Sequence, residues 1–230
     1  RLVSGKISNQ RRLLQKRMTP DLIRVQEAVH SLGTLSRKSA TATSLEQLRG
    51  LEGLAAKTYF AALSDLTTAN MRFKGRSRRP PADPFNSLLS LGYTLLHHNV
   101  RSAVRIAGLH PFVGFLHYAH FGRPSLVEDL MEEFRPILVD LLVLTAVNRK
   151  MFQPKDFRTG QTSDGRKGIF LDDLSRKRFL AAFEERMRTE FAYKRTGVSV
   201  TYRRALELQA RQLAACILED DPHYQPVRIT

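Results

Sequence analysis

Glu52 is the first residue of this sequence whose type and position suggest chemistry. Leu48, Glu52, Ala55 and Tyr59 are spaced by 4, 3 and 4 residues, which places Glu52 on or beside the apolar stripe of a predicted helix. A carboxylate there is costly to bury unless it is paired or bound to a metal ion. Glu52 is therefore predicted either to bind a metal ion or to pair with a core arginine or lysine.

A histidine and a group of acids follow further along the chain. His117 lies in the largely apolar segment GFLHY (114–118), where it is either a metal ligand or a hydrogen-bonded structural residue. Asp129 and Glu132 are three residues apart and share a helix face, whereas Glu133 shares a face with Asp129 at a spacing of four. Periodicity leaves the choice between Glu132 and Glu133 open, and acids in a first helical turn also suit the helix dipole.

Together these side chains form an oxygen-rich set of donors. Two or three carboxylates with one imidazole suit Mg²⁺ or Mn²⁺. The single cysteine, Cys216, lies in an apolar helical run and is predicted to be a core thiol of an intracellular protein, so a structural zinc site is not expected. A hard divalent cation beside a basic surface favours phosphodiester chemistry, in which the metal polarises the phosphate.

The charge of the chain indicates a polyanionic partner. There are 37 Lys and Arg residues against 22 Asp and Glu residues, a formal net charge of +15. No apolar run approaches the roughly 18 residues needed to span a bilayer, so nucleic acid is favoured over a membrane. One loop concentrates the basic residues that are predicted to contact phosphates, namely Lys74, Arg76, Arg78 and Arg79.

The elements that position these side chains are predicted to be helices. Hydrophobic residues make up 42% of the chain, enough for a core, and the pattern predicts an all-α fold of about six helices. Residues 1–150 are predicted to form the metal-binding region, and 151–230 a helical extension of the same domain with one short hairpin around 168–171. Predicted helix starts are Thr19-Pro20, Ser44 with Gln47, Asp83-Pro84 and Ser125 with Glu128, and a bend is predicted at Pro136.

Several segments, in order, resemble the CRISPR-associated integrase family, the catalytic subunit of the spacer-acquisition complex. LRGLEGLAAKTYF (48–60) is similar to the segment that carries the family's first metal-binding glutamate. RSRRPPADPFNSLLSLGYTLL (76–96) resembles its basic loop and following helix, and GLHPFVGFLH (108–117) the stretch that ends in its metal-binding histidine. RPSLVEDLMEEFRPILVD (123–140) resembles its acidic segment, and KISNQRRLL (6–14) the start of its helical domain.

The resemblance implies roles for individual residues. Glu52, His117 and Glu132 would be the catalytic metal ligands, and Glu132 is preferred to Glu133 on this ground alone. Asp129 would be an accessory acid near the site, and Lys57 and Arg135 are further accessory candidates that orient carboxylates or contact phosphate.

The resemblance also implies an activity and partners. The chain would be a metal-dependent DNA endonuclease and integrase that joins 3′-hydroxyl ends of short double-stranded DNA fragments into a CRISPR array, in a prokaryotic cytoplasm. A small CRISPR-associated adaptation protein would be its partner. The family's dimerising N-terminal β-domain is expected to be absent here, so the chain would belong to a longer, homodimeric protein, of which a reverse-transcriptase fusion is one form. The alternatives are a non-catalytic DNA-binding subunit and a general repair nuclease acting on branched DNA.

Overall fold

The chain opens on a helix that runs through the middle of the fold. The computed structural model describes residues 1–77, 79–118, 120–219 and 223–228. The first helix buries Val3, Ile7, Leu13 and Leu14 and packs against the second, third and fifth helices. The helices are α1 (Leu2–Gln15), α2 (Ile23–Ala40), α3 (Leu45–Asp65), α4 (Pro84–Ile106), α5 (Ser125–Phe134), α6 (Leu141–Asn148), α7 (Asp173–Arg188) and α8 (Tyr202–Leu218).

Three short segments have other helical geometries. Ala69–Met71 and Pro154–Asp156 are 3₁₀ turns. Arg135–Asp140 is a π-helix inserted between α5 and α6, at the place where Pro136 predicts a bend. Pro136 has no N–H to donate, and the wider π turn keeps the chain helical through this residue.

The prediction of an all-α fold is wrong, because the C-terminal third contains two antiparallel sheets of two strands each. β1 (Phe157–Gln161) pairs with β2 (Lys167–Leu171), with Phe157 opposite Leu171. β3 (Glu190–Ala192) pairs with β4 (Ser199–Thr201). The hairpin predicted around 168–171 is therefore present, and the second, with only three residues in each strand, is too short to show periodicity.

Two predicted helix starts are confirmed by their caps. Ser44 Oγ accepts a hydrogen bond from the backbone N–H of Gln47 at 3.1 Å, and Asp83 accepts one from Asn86 N at 2.7 Å with Pro84 in the first turn. The start predicted at Thr19-Pro20 is wrong. Both residues lie in the turn between α1 and α2, where their carbonyl groups accept hydrogen bonds from the Gln26 amide.

None of the helices in the described ranges combines the length and apolar composition required to cross a bilayer. The core is a continuous apolar cluster to which all eight helices contribute. Among its largest fully buried side chains are Tyr59, Phe73, Phe85 and Phe134.

Candidate metal centre and nucleic-acid cleft

Three helices bring one lysine and two glutamates together. Lys6 on α1 places its ammonium group against Glu52 Oε1 on α3 and Glu132 Oε2 on α5. The side chains of Lys6 and Glu132 are 8% and 6% exposed, and that of Glu52 is 28% exposed. Glu52 therefore pairs with a core lysine, which was one of its two predicted roles, and the same cation joins it to Glu132.

The electrostatics of Glu132 are set by its cationic neighbours. Burial by itself raises the pKa of this carboxyl, but the positive charges of Lys6 and Arg135 outweigh it and lower the pKa to about 2. Arg135 Nε lies 3.2 Å from Glu132 Oε1. Oε2 contacts the Lys6 ammonium as an ion pair but has no well-oriented hydrogen bond among the described residues.

His117 is oriented by a fully buried aspartate. Its Nδ1 lies 2.6 Å from Asp129 Oδ1, so Nδ1–H donates to the carboxylate and Nε2 carries the lone pair. Asp129 also accepts the backbone N–H groups of Phe115 (2.5 Å), Leu116 (2.9 Å) and His117 (3.0 Å). A Cβ atom at Gly114 would lie 2.8 Å from Asp129 Oδ2, so glycine is needed for the loop to come this close.

A single cleft of about 1040 Å³ is lined by Glu52, His117 and Glu132. Asp129 lies behind His117 as the predicted accessory acid. Glu133 is directed elsewhere: Tyr224 and Gln209 donate to its Oε1 at 2.6 and 3.0 Å. The structure thus places Glu132 in the cleft and Glu133 in the core beneath the C-terminal segment, a difference that helical periodicity left open.

The types of the donor groups in the cleft, two carboxylates and one imidazole, suit a hard divalent cation. Two carboxylates converge on one cation, and an imidazole with a fixed tautomer lines the same space. In the described ranges no three His, Cys, Asp or Glu side chains are close enough together to hold a metal ion. The Lys6 ammonium stands between the two carboxylates instead, as a monovalent cation in contact with both.

The predicted phosphate-binding residues divide into two groups. Arg76 and Arg79 line the cleft. Arg76 donates to Asn86 Oδ1 at 2.9 Å and to Ser90 Oγ at 3.2 Å, so α4 fixes its direction. Lys74 is exposed and lies outside the cleft lining, and Arg78 lies outside the described residues.

The two accessory cations also differ. Lys57 is exposed on α3 and is not among the residues that line the cleft. Arg135 lines the cleft and contacts Glu132, and its guanidinium lies 4.8 Å from the centre of the Tyr93 ring. Of these two accessory cations, Arg135 is therefore the one close enough to orient a predicted ligand, Glu132.

A buried network that sequence patterns did not reveal lies behind Arg135. Asp140, at the end of the π-helix, accepts hydrogen bonds from the hydroxyl groups of Tyr59 at 2.9 Å and Tyr93 at 2.5 Å. Burial raises the pKa of Asp140 to about 6, although the two tyrosine hydrogen bonds and Arg135 oppose the shift. The Tyr93 ring is close to two cations of the cleft, because the Arg76 guanidinium also lies near it, 5.2 Å from its centre.

Further cleft residues come from two segments. On α1, Lys6 and Gln10 are four residues apart and line the cleft together, a spacing that was visible in the sequence. In the loop after His117, Phe121 is fully exposed and lines the cleft beside Arg123. Arg123 Nε donates to Glu128 Oε2 at 2.9 Å, so its guanidinium is held in place.

Comparisons with known proteins identify the family to which the chain is similar. Residues 1–185 match the family model described as CRISPR associated protein Cas1. The chain is 40% identical to CRISPR-associated endonuclease Cas1 2 of Rhodospirillum rubrum, over 98% of this chain and 68% of that protein. It is also 40% identical to CRISPR-associated endonuclease Cas1 3 of Thermus thermophilus, over 100% of this chain and 65% of that protein. The chain thus spans about two thirds of the length of these relatives.

A solved structure, titled a partial Cas6-RT-Cas1–Cas2 complex, superposes with a TM-score of 0.87 at 30% sequence identity. The superposition covers 100% of this chain and 67% of that one. The match of the family model to most of the chain, the two relatives and this structure lead to the same assignment. The chain belongs to the CRISPR-associated protein Cas1 family.

Proposed function

We propose that this chain carries the catalytic centre of a metal-dependent DNA endonuclease and integrase. The observation that supports the proposal best is that Glu52 and Glu132 converge on the Lys6 ammonium in the cleft that His117 also lines. Three arginines line the same cleft, namely Arg76, Arg79 and Arg123. The relatives are named as endonucleases, which supports a nuclease activity for the family.

Glu52, His117 and Glu132 are the proposed ligands, and Mg²⁺ or Mn²⁺ is the proposed metal. When bound there, such an ion would polarise the scissile phosphate and favour deprotonation of the attacking hydroxyl group. Asp129 keeps the Nε2 lone pair of His117 available. Arg135 lies against Glu132 and holds its carboxylate, which favours the ionised form that ligation requires.

The proposed reaction is a transesterification. The 3′-oxygen of a short DNA fragment forms a bond to a phosphorus atom at the edge of a repeat, and the bond from that phosphorus to its original 3′-oxygen breaks. The number of phosphodiester bonds is unchanged, and the proton of the attacking hydroxyl passes to the leaving oxygen through solvent. Arg76, Arg79 and Arg123 would bind the flanking phosphates, because guanidinium groups match phosphate oxygens in geometry and charge.

The proposed partners are double-stranded DNA, a second copy of the full-length protein and a small adaptation protein. The solved structure that this chain resembles is named as an assembly with Cas2 and with a Cas6-RT fusion. That name supports a Cas2-type partner for this chain, and a fusion to a reverse transcriptase as one form of the longer protein.

Strand transfer tests the proposal. The full-length protein, its small partner, a duplex with 3′-hydroxyl ends and a plasmid carrying a repeat are incubated with Mg²⁺ or Mn²⁺. Glu52→Gln and His117→Ala are expected to lower the joining rate by at least about a hundredfold. Glu46→Gln, an exposed glutamate in the first turn of α3, is the matched control and should keep the parent rate.

Two results would contradict the proposal. If Glu52→Gln and His117→Ala join DNA as fast as Glu46→Gln, the cleft is not the catalytic centre. If the parent protein binds DNA tightly but gives neither joined nor cut product with either metal, the chain is a DNA-binding subunit without catalysis.

A further inference from the structure

Lys6 is an unusual residue to find in a candidate metal centre. Its ammonium is almost completely buried, and it contacts one carboxylate oxygen of Glu52 and one of Glu132. Burying a lysine is costly unless its charge is paired, and two converging carboxylates repel each other unless a cation lies between them. The three side chains therefore form one ionic cluster, and removal of Lys6 leaves Glu52 and Glu132 without the cation that they share.

The position of Lys6 on α1 is fixed by packing. Val3 and Ile7, on either side of it, are buried in the core, and Asn9 is anchored by donating to the carbonyl groups of Glu133 and Val227 at 2.9 and 2.8 Å. These contacts hold the backbone of α1 in place on both sides of Lys6 along the helix. A change in the position of the ammonium must come from rotation of the lysine side chain and not from movement of the helix.

One turn along α1 lies a second acceptor that the Lys6 ammonium can reach. Gln10 is 2% exposed, lines the same cleft, and its Oε1 is a buried acceptor with no hydrogen bond among the described residues. Residues four apart on a helix are neighbours on its surface, so Gln10 lies within reach of the Lys6 side chain. A buried acceptor without a donor is costly, and a displaced ammonium would satisfy it.

We propose that Lys6 is a built-in counter-cation of the acidic centre, which holds Glu52 and Glu132 together when no divalent cation is bound and which a divalent cation must displace. This inference rests on the metal site of the proposed function. It adds a competition: a metal ion held by Glu52 and Glu132 would need the two carboxylates that Lys6 contacts. Metal affinity is therefore lowered by the free energy needed to separate the ammonium from its two partners.

The competition is tested by measuring Mn²⁺ affinity without any DNA reaction. Mn²⁺ binding to the full-length protein is followed by calorimetry and by the loss of the free-ion electron paramagnetic resonance signal. Lys6→Met keeps most of the side-chain volume and removes the charge, so the variant is expected to bind Mn²⁺ about tenfold more tightly than the parent or better. Lys177→Met, an exposed lysine on α7, loses the same charge outside the cleft and should keep the parent affinity.

The melting temperature gives a second measurement. Replacing a lysine that had only a structural role would not change how much Mn²⁺ raises it. Without metal, Lys6→Met should melt at a lower temperature than the parent, since Glu52 and Glu132 lose the cation that they share. Saturating Mn²⁺ should raise the melting temperature of Lys6→Met by more than it raises that of the parent. Should Lys6→Met fail to fold, Lys6→Arg keeps the charge and pairs more strongly with carboxylates, and it should bind Mn²⁺ more weakly than the parent.

The outcomes separate this inference from the proposed function. If Lys6→Met binds Mn²⁺ with the same or lower affinity, or Lys6→Arg binds it as tightly as the parent, Lys6 does not compete with the metal and the inference is wrong while the metal site stands. If neither the parent nor any Lys6 variant binds Mn²⁺ or Mg²⁺, the metal site of the proposed function is wrong and this inference falls with it.

Discussion

Asp129 holds both the ring and the backbone of His117: Oδ1 accepts from the imidazole Nδ1 at 2.6 Å and from the backbone N–H at 3.0 Å. Its other oxygen, Oδ2, accepts from two preceding N–H groups of the same loop. One buried carboxylate on α5 therefore sets the tautomer of the imidazole and the course of the chain that carries it.

Replacement of Asp129 by alanine is expected to reduce stability as well as function. Three backbone N–H groups lose their acceptor, at about 1 kcal/mol or more each, so the free energy of unfolding should fall by at least about 3 kcal/mol. His117→Ala removes a partly exposed ring and leaves those three hydrogen bonds intact, so its free energy of unfolding should fall by much less. Urea unfolding of both variants measures the difference, and equal losses would show that Asp129 does not hold the loop.

Asp140 makes stability depend on pH in a defined direction. Burial raises its pKa from the ordinary value of 3.8 to about 6, so the folded protein keeps this proton in a range where the unfolded chain has lost it. Folded protein then binds more protons than unfolded protein, and stability falls as pH rises from about 4 to about 6. The total effect is roughly 3 kcal/mol.

Asp140→Asn should remove this contribution. The difference in unfolding free energy between the variant and the parent should change with pH between about 4 and 6 in favour of the variant, and be constant above about 7. Denaturant unfolding at a series of pH values measures it. Asp173→Asn, an exposed carboxylate on α7, is the matched control. A difference between Asp140→Asn and the parent that is independent of pH would contradict the shifted pKa.

Arg79 and Arg76 should respond differently to substitution. Arg79 is exposed at the cleft, so Arg79→Ala should weaken DNA binding and reduce the slope of log affinity against log salt by about 1, with no loss of stability. Arg76→Ala should weaken binding and also lower the melting temperature, because its guanidinium donates to Asn86 and Ser90. Fluorescence anisotropy over a salt series measures the slopes. Arg188→Ala, at the exposed end of α7, controls for the loss of one charge. If Arg79→Ala gives the same slope as this control, Arg79 does not contact DNA.

Phe121 is expected to contact an unpaired base. Its side chain is completely exposed at the edge of a cleft that arginines surround, an arrangement suited to stacking on a nucleotide held by its phosphates. Phe121→Ala should weaken binding of DNA with single-stranded ends by roughly 1–3 kcal/mol, and Phe121→Trp should retain it. Quenching of 2-aminopurine placed in the single-stranded end reports the stacking. Val113→Ala removes an exposed apolar side chain from the same loop, and an equal effect of both alanine variants would contradict stacking by Phe121.

Local signals in the sequence predicted some helix boundaries correctly and missed others. Ser44 and Asp83 cap helices because the side-chain oxygen and the backbone N–H that donates to it lie within a few residues of each other. The polar helix α1 was not predicted as a separate element. Its Asn9 is buried and donates to the carbonyl of Val227 near the other end of the chain, a contact that periodicity cannot indicate.

The sequence predicted three residues that line the cleft, but only some of the residues that contact them. The resemblance to a family indicated Glu52, His117 and Glu132, while periodicity alone could not separate Glu132 from Glu133. Lys6 and Asp140 were missed for a physical reason. Their roles depend on contacts between residues that are far apart in the sequence. Lys6 is 46 positions from Glu52, and Asp140 is 47 positions from Tyr93.

The π-helix at Arg135–Asp140 sets the rotational phase of everything that follows it. Each residue of an α-helix turns the chain by about 100°, so one residue fewer in this segment would rotate Asp140 by about that angle. The tyrosine hydroxyl groups of α3 and α4 would then face the wrong side of the helix. A single-residue deletion at Ile137 would thus separate Asp140 from Tyr59 and Tyr93 and remove the wider turn that accommodates Pro136.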